Sequence, residues 1–333
     1  MKKSRNVFLF FILLLIVIGI VSIMIGSYHM SFHDILQTFL GKGDKLQEFT
    51  IYQSRLPRIM LAVLVGSALG VSGSILQSIT RNPLAEPGVI GINAGAALFV
   101  VLWISASSSA YYSELPFAKV IFIPFIAMIG SLVSMLMIYL LANKKGLQPM
   151  RLLLCGIGVN AGIQAIITFY QLNMSKGDYN QVLTWTNGSL WGSSWQYVLL
   201  ILPIIVILIF IAMMRSRILD VLGLGDELAL SVGVAVKKER VFFFVLSTLL
   251  AAVATSVAGN IAFLALLGPQ IAKKLVTNQY RYLIPLSAII SAIILLVADL
   301  FAKNLFSPIE IPVGIMVSIL GVPYFLYLML NRK

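Results

Sequence analysis

NIAFLALLGPQIA, residues 260–272, decides how this chain threads through space. It is apolar enough to enter a bilayer, yet it is short and holds two helix breakers, Gly268 and Pro269. Counted as a crossing it gives ten spans; left out, nine. Lys and Arg near the ends of spans collect on the cytoplasmic side, so the flanking charges arbitrate. With ten spans and both termini cytoplasmic, the groups Lys2, Lys3, Arg5; Arg81; Lys144, Lys145, Arg151; Arg215, Arg217, Lys237, Lys238, Arg240; Lys273, Lys274, Arg281; and Arg332, Lys333 all fall on one side. Without this crossing the clusters around Lys238 and Lys274 lie on opposite faces. Ten spans is the better reading.

The rest of the chain supports a membrane protein throughout. Of its 333 residues, 59% are hydrophobic and 11% charged, against roughly 25% charged in soluble domains. Apolar runs at 7–28, 59–80, 88–105, 119–142, 151–172, 197–214, 241–258, 260–272, 283–302 and 312–330 suit helices crossing a hydrocarbon core about 30 Å thick. No barrel-type alternation is visible, so the fold is all-α: one membrane domain over 1–333. The basic start followed by a long apolar stretch reads as a retained first span. Cys155 sits alone in an apolar run as a small filler, with no thiol to pair with.

A net charge of +12 needs no nucleic acid to explain it, because topology uses most of it, and anionic lipid headgroups are natural neighbours for the rest. No G-x-x-x-x-G-K-[ST] loop is present to hold a nucleotide. There is no H-E-x-x-H pair, and no cluster of acid, base and nucleophile. We expect no cofactor, no resident metal and no catalysis by this chain. Ionisable residues inside the spans are scarce, Asp299 being the chief exception, which counts against an ion-coupled secondary carrier. If cargo moves uphill, another subunit supplies the energy.

Polar punctuation marks the candidate sites. RNPLAEPGVIG, residues 81–91, breaks the chain between the second and third spans. Asn82-Pro83 and Glu86-Pro87 predict an irregular cytoplasmic turn, with Pro87 as the first residue of the third span. Gly66, Gly70, Gly73, Gly91 and Gly95 make the second and third spans fit for close helix contact. Asn160, Gln164 and Thr168 share one face of the fifth span; they line a wet path or bond neighbouring helices, and the sequence leaves both open. The longest cytoplasmic segment, 215–240, reads as short amphipathic helices broken at Gly223 and Gly225, with Asp226 as N-cap of the second. It is either a membrane-surface element or a dock for a cytoplasmic partner. On the other side, Arg55 and Arg58 stand at the mouth of the second span, where they snorkel to headgroups or meet an acidic partner. Trp185, Trp191 and Trp195 suit an interfacial belt.

Several of these stretches, in this order, resemble the FecCD-type permeases of binding-protein-dependent ABC importers: RLPR at 55–58, GSILQSITRNPLAEPGVIGINAGA at 73–96, LGLGDELALSVGV at 222–234, VADLFAK at 297–303 and IEIPVGIMVSILGVPYFLYLM at 309–329. The resemblance covers nearly the whole chain. It implies a type II importer permease moving a ferric siderophore, with cobalamin or haem as alternatives. It further implies a separate ATPase dimer and a second permease subunit, identical or paralogous. The segment around Leu224, Gly225, Asp226 and Glu227 would couple to the ATPase. Arg55, Arg58 and Lys303 would meet the extracytoplasmic binding protein. Asn82, Pro83, Gly91, Asn160 and Gln164 would belong to the path or its gate. One departure stands out: relatives commonly have His where this chain has Gln270, so any role of that histidine is altered here.

Overall fold

The computed structural model describes residues 2–26, 28–107, 117–143, 148–276, 279–307 and 309–330; Lys144, Lys145, Arg332 and Lys333, which enter the charge argument, lie outside them. The described chain is helical: α1 (Lys2–Met24), α2 (Phe32–Phe39), α3 (Lys45–Glu48), a π-helical turn (Phe49–Arg55), α4 (Leu56–Thr80), α5 (Pro87–Ile90), α6 (Ile92–Ser107), α7 (Phe117–Ala142), α8 (Pro149–Leu172), α9 (Lys176–Thr186), α10 (Trp195–Met214), α11 (Ser216–Leu224), α12 (Asp226–Ser231), α13 (Val236–Ala258), α14 (Leu264–Leu275), α15 (Tyr280–Asn304) and α16 (Val313–Leu330). Each of the ten apolar runs contains a helix. By length and composition seven helices are able to cross a membrane, while Ile92–Ala106 and Val313–Tyr327 form shorter apolar helices. The protein is an all-helical membrane protein.

The helix α4 is the axis of the bundle, and nearly all of its side chains from Leu64 onward are buried. Small residues let its neighbours close in on it: a Cβ on Gly66 would lie 2.6 Å from the Ala292 backbone of α15, and one on Gly73 only 1.7 Å from the Ala265 oxygen of α14. Side chains at those positions would push the helices apart, which is the membrane use of small residues foreseen from the sequence. Hydroxyls add short links to backbone: Ser72 donates to the Ser247 carbonyl at 2.7 Å and Ser78 to that of Leu219 at 3.1 Å.

The decisive stretch is a helix, and its two breakers do not break it. Both Gly268 and Pro269 lie inside α14. Proline at 269 removes the amide that would bond the carbonyl four residues earlier. That carbonyl belongs to Ala265, and the Gln77 side-chain amide of α4 donates to it at 3.5 Å. The helix starts later than the apolar pattern suggests, at Leu264, after Phe263 in the left-handed region with φ 64°.

The third span is also shorter than expected. Pro87 does begin a helix, but Gly91, with φ 89°, ends it after one turn, and α6 starts afresh at Ile92. Only glycine takes that backbone at little cost. Of residues 88–93, Val89 is exposed, Gly88 is half-buried and the other four are buried. Asn160, eleven residues into α8 and so about 16 Å along it, donates to the Gly88 carbonyl at 3.3 Å, and Ser134 of α7 donates to that of Gly91 at 2.8 Å. At the same depth Asn93 donates to Asn260 at 2.8 Å and accepts from Thr255 at 3.1 Å. The expected surface turn is therefore a re-entrant one: Arg81 caps α4 at the end of the bundle, and the chain climbs from there to the middle. Irregular backbone at membrane depth is tolerated where protein buries it, as here.

Candidate functional site

At the Arg81 end of α4, three elements meet on one carboxylate. After α11, Gly225 takes φ 127° and ψ 156° and turns the chain into α12. We expected Asp226 to cap α12; instead Gly225 holds the cap position and Asp226 is the first helical residue, with no side-chain cap bond. Its carboxylate turns inward to two arginines. Arg240 Nη2 of α13 donates to Oδ1 at 2.7 Å, and Arg81 pairs with the same oxygen while donating from Nε to the Leu222 carbonyl at 3.3 Å. Partial burial alone would raise the Asp226 pKa, but the hydrogen bond and charge of Arg240 and the charge of Arg81 hold it below the usual carboxylate value. Nearby, Asp220 accepts from the first amide of α15, that of Tyr280, at 2.7 Å, and Arg215 pairs with Glu239 at 2.6 Å.

These contacts sort the apolar residues of the segment into two sets. Leu219, Leu222 and Ala229 are buried, whereas Leu224, Leu228, Leu230 and Val232 are each more than half exposed, beside an exposed Glu227. Four large apolar side chains on a short, firmly held element are a surface prepared for contact. The sequence found the segment; it could not find the arginine clamp, whose members are 145 and 14 residues from Asp226.

The turn that follows Arg81 is tied down residue by residue. The Asn82 side chain accepts from the Leu84 amide at 3.0 Å, an Asx turn. The Pro83 carbonyl accepts from Gln270 at 2.9 Å, and the same Gln270 amide group donates to Gln77 at 2.7 Å. Lys273 donates to Gln77 at 3.0 Å. Gln270 thus joins α14 to α4 and to the turn. Farther in, buried Glu86 accepts from the Phe263 amide. Of the residues expected at the path or gate, Asn82 and Pro83 are half-buried in this turn, Gly91 is buried against α8, Asn160 is half-buried on Gly88, and Gln164 is exposed. The structure joins the first four of them into one connected region and leaves Gln164 on the open face of α8.

The Arg58 end of α4 holds the second cluster, and here the expectation of exposed cations needs correcting. Arg55 is buried. The π-helical turn that precedes α4 carries its guanidinium inward, where it donates to the carbonyls of Ile23, Met24 and Tyr28 at and beyond the end of α1. It satisfies carbonyls that a helix end leaves without partners. Arg58 is bidentate to Asp299, from Nε at 3.0 Å and Nη2 at 2.8 Å, and reaches Glu310 from Nη1 at 3.0 Å. Lys303 donates to the Ser22 carbonyl and hydroxyl, each at 3.2 Å. Asp299, the lone acid read inside a span, is 1% exposed and has found its cation.

Beside this cluster opens a cavity of about 860 Å³. It lies between α9, the ends of α7 and α13 and the segment before α16, with Trp185, Trp191, Tyr197, Gln181 and Ser256 in its walls; the one carboxylate among its lining residues is Glu310. Two of its lining residues are bonded to each other, Ser189 N–H donating to the Ala258 carbonyl at 2.8 Å, and next to them Gly314 N–H donates to the Gly188 carbonyl at 3.1 Å. The tryptophans read as an interfacial belt serve two ends, since Trp185 and Trp191 line the cavity while Trp195 donates to the Tyr52 carbonyl at 2.6 Å.

A helical membrane protein with an exposed apolar element at one end, a cavity at the other and buried irregular backbone between them fits a permease. Known proteins agree. The FecCD transport family profile matches residues 14–331. The chain is 43% identical to the iron(3+)-hydroxamate import system permease protein FhuG of Bacillus subtilis, over 96% of this chain and 95% of that one. It is 38% identical to a Fe(3+)-citrate import system permease protein of the same organism, over 98% and 96%, and 33% identical to the ferric enterobactin transport system permease protein FepG of Escherichia coli, over 96% and 93%. Among solved structures, a metal-chelate type ABC transporter in an inward-facing conformation superposes with a TM-score of 0.86 at 26% identity, over 98% of this chain and 99% of the other. The chain belongs to the FecCD transport family. It is a multi-pass membrane permease of a bacterial ABC importer and is not itself the ATPase.

Proposed function

We propose that this permease carries a ferric siderophore across the cytoplasmic membrane through ten spans with both termini inside, paired with a second permease subunit. The observation that carries the reading is the exposed apolar row Leu224, Leu228, Leu230 and Val232 beside Glu227, which fits the cleft of a cytoplasmic ATPase better than an anionic leaflet. Nucleotide-driven closure of an ATPase dimer would then move α12 and the helices it is tied to. At the other end Arg58 and Lys303 remain the groups for an acidic face of an extracytoplasmic binding protein, reached through Glu310 and from the rim; Arg55 serves that contact by holding α1 in place. Cargo would enter from the outer cavity, while the open face of α8, with Gln164 and Thr168, suits the path between the two subunits.

The lining favours an uncharged chelate. Among the described residues the cavity lining holds one carboxylate, Glu310, and no basic side chain, which favours a neutral trihydroxamate, the chemistry named for the 43% identical relative, over a polyanionic catecholate or citrate complex. The test is uptake of radioactive iron in a strain lacking this chain and in the complemented strain, across trihydroxamate, catecholate and citrate chelates, with labelled cobalamin and haem alongside. Loss of trihydroxamate uptake restored by the chain is expected. Loss confined to a catecholate, citrate, cobalamin or haem would overturn the cargo assignment, and unchanged uptake of all five would overturn the importer reading.

A further inference from the structure

The segment Arg81–Glu86 is joined at both ends to elements that have other work to do. At its start, Arg81 reaches Asp226 and the Leu222 carbonyl, so it grips the junction of α11 and α12 from below the exposed leucines. At its far end, Glu86 meets the amide of Phe263, the residue that opens α14. Between them Pro83 is bonded by Gln270 of α14. Among the described residues only two that are not glycine have positive φ, and they are Arg81 and Phe263, the two ends of this connection. Left-handed backbone is unfavourable for such residues and persists only where surroundings enforce it.

Beyond Glu86 the same chain runs into the midplane breaks. Gly88 receives the Asn160 amide of α8, and Asn93 holds Asn260 and Thr255. A displacement of α12 therefore has two routes to these breaks, one along α13, which Arg240 ties to Asp226, and one through the turn 82–86, which Arg81 ties to the same carboxylate. The α11 residue Leu219 also meets α4, through the Ser78 hydroxyl in its last turn. The turn after Arg81 is the part able to change shape.

We propose that Arg81 is a positioning residue for transport, joining α12 to the re-entrant segment 82–86 so that movement of α12 is delivered to the midplane breaks at Gly91 and Phe263. The turn residues Asn82 and Pro83 then belong to transmission and not to the wall of the path. This rests on α12 being the ATPase contact, and the experiment separates the two ideas. The whole transporter, with its ATPase and binding protein, is reconstituted in proteoliposomes carrying the wild-type chain, Arg81→Gln, Arg81→Lys, Asp226→Asn or the double variant. Four quantities are read: ATPase subunit retained, cross-linking of the ATPase to a cysteine at position 228, ATP hydrolysed on adding binding protein loaded with an iron trihydroxamate, and iron delivered.

In Arg81→Gln the ATPase is expected to stay bound and to cross-link as in wild type, while iron delivered per ATP falls about tenfold, within the usual range of coupling effects. Arg81→Lys, which keeps the charge, recovers part of the loss. The double variant is no worse than Asp226→Asn, because both changes cut one link. An unchanged ratio of iron to ATP in Arg81→Gln, or losses in Arg81→Gln and Asp226→Asn that multiply in the double variant, would overturn the proposal. Failure of position 228 to cross-link in an assembled, active wild-type transporter would instead overturn the docking of α12.

Discussion

Arg58 and Asp299 form the pair on which the outer end of the bundle depends. The carboxylate is almost wholly buried and the guanidinium nearly so, which makes each the other's only adequate substitute for water apart from Glu310. Removing one member of such a pair leaves a buried charge uncompensated, at a cost of about 3–5 kcal/mol. Asp299→Ala is therefore expected to lower the thermal midpoint of the detergent-solubilised subunit by many degrees, and Arg58→Met combined with Asp299→Leu to recover most of it. A fluorescence-detected size-exclusion melt reads both, and equal melting of Asp299→Ala and wild type would refute the pairing. Arg55 behaves differently. Its guanidinium serves backbone carbonyls of α1, so charge reversal there removes folded protein before any partner is assayed. Docking of the binding protein is better tested at Lys303 with Lys303→Gln, which removes the charge and keeps a donor for Ser22, and is expected to weaken docking in a salt-dependent way; undiminished docking of Lys303→Gln at low salt would remove Lys303 from the contact.

At the scale of elements, α12 is held by a charge clamp and used through its leucines, and the two are separable. Leu228→Asp exchanges an exposed apolar contact for a charge without touching the clamp. It should cost ATPase attachment about tenfold or more in affinity, equivalent to about 1.4 kcal/mol, with the subunit itself as stable as wild type; pull-down of the ATPase checks this, and full retention would show that the leucine row is not the contact. The clamp has a pH signature. Because the Asp226 pKa is lowered in the folded state, its contribution is fully present above the unfolded carboxylate value of 3.8 and is lost as pH falls through the lower folded value. Hydrogen exchange of residues 225–231, corrected for intrinsic rates, should be flat from neutral pH to about 5 and rise only in stronger acid. Asp226→Asn should show the faster exchange from neutral pH to about 5, with the difference closing in stronger acid. What the sequence disclosed at this scale was local: apolar period, acidic residues and glycine breaks of 215–240 lie within one window. What it hid was long-range. Nothing near position 58 announces Asp299, 241 residues on, and nothing near Pro269 announces that Gln77 will meet the carbonyl it orphans. The re-entrant course of 82–93 was hidden for a different reason, since two prolines and a glycine signal a break in the helix and say nothing of the depth at which it occurs.

For the whole molecule the question returns to α14. Twelve residues make a helix of about 18 Å, too short for a hydrocarbon core of about 30 Å, so a crossing here would need the non-helical backbone at 259–263 to supply the rest. Hydropathy undercounts such a span because half of it is not helix, while charge placement still registers it. Packing agrees with the charges: Gln270 and Lys273 meet Gln77 and Pro83 at the Arg81 end of α4, the end that also binds Asp226. If α13 and α14 together make one complete out-and-back pair, Leu228 and Lys274 face the same compartment, and Trp191, 76% exposed, faces the opposite one. In a Cys155→Ser background, single cysteines at 228 and 274 should react with an impermeant maleimide only after the cells are opened, and a cysteine at 191 should react in intact cells. Labelling of position 274 from outside, with 228 still protected, would reduce the crossings to nine and detach the backbone around Asn260 from the coupling end, because Asn260 and Gln270 could no longer belong to one re-entrant pair.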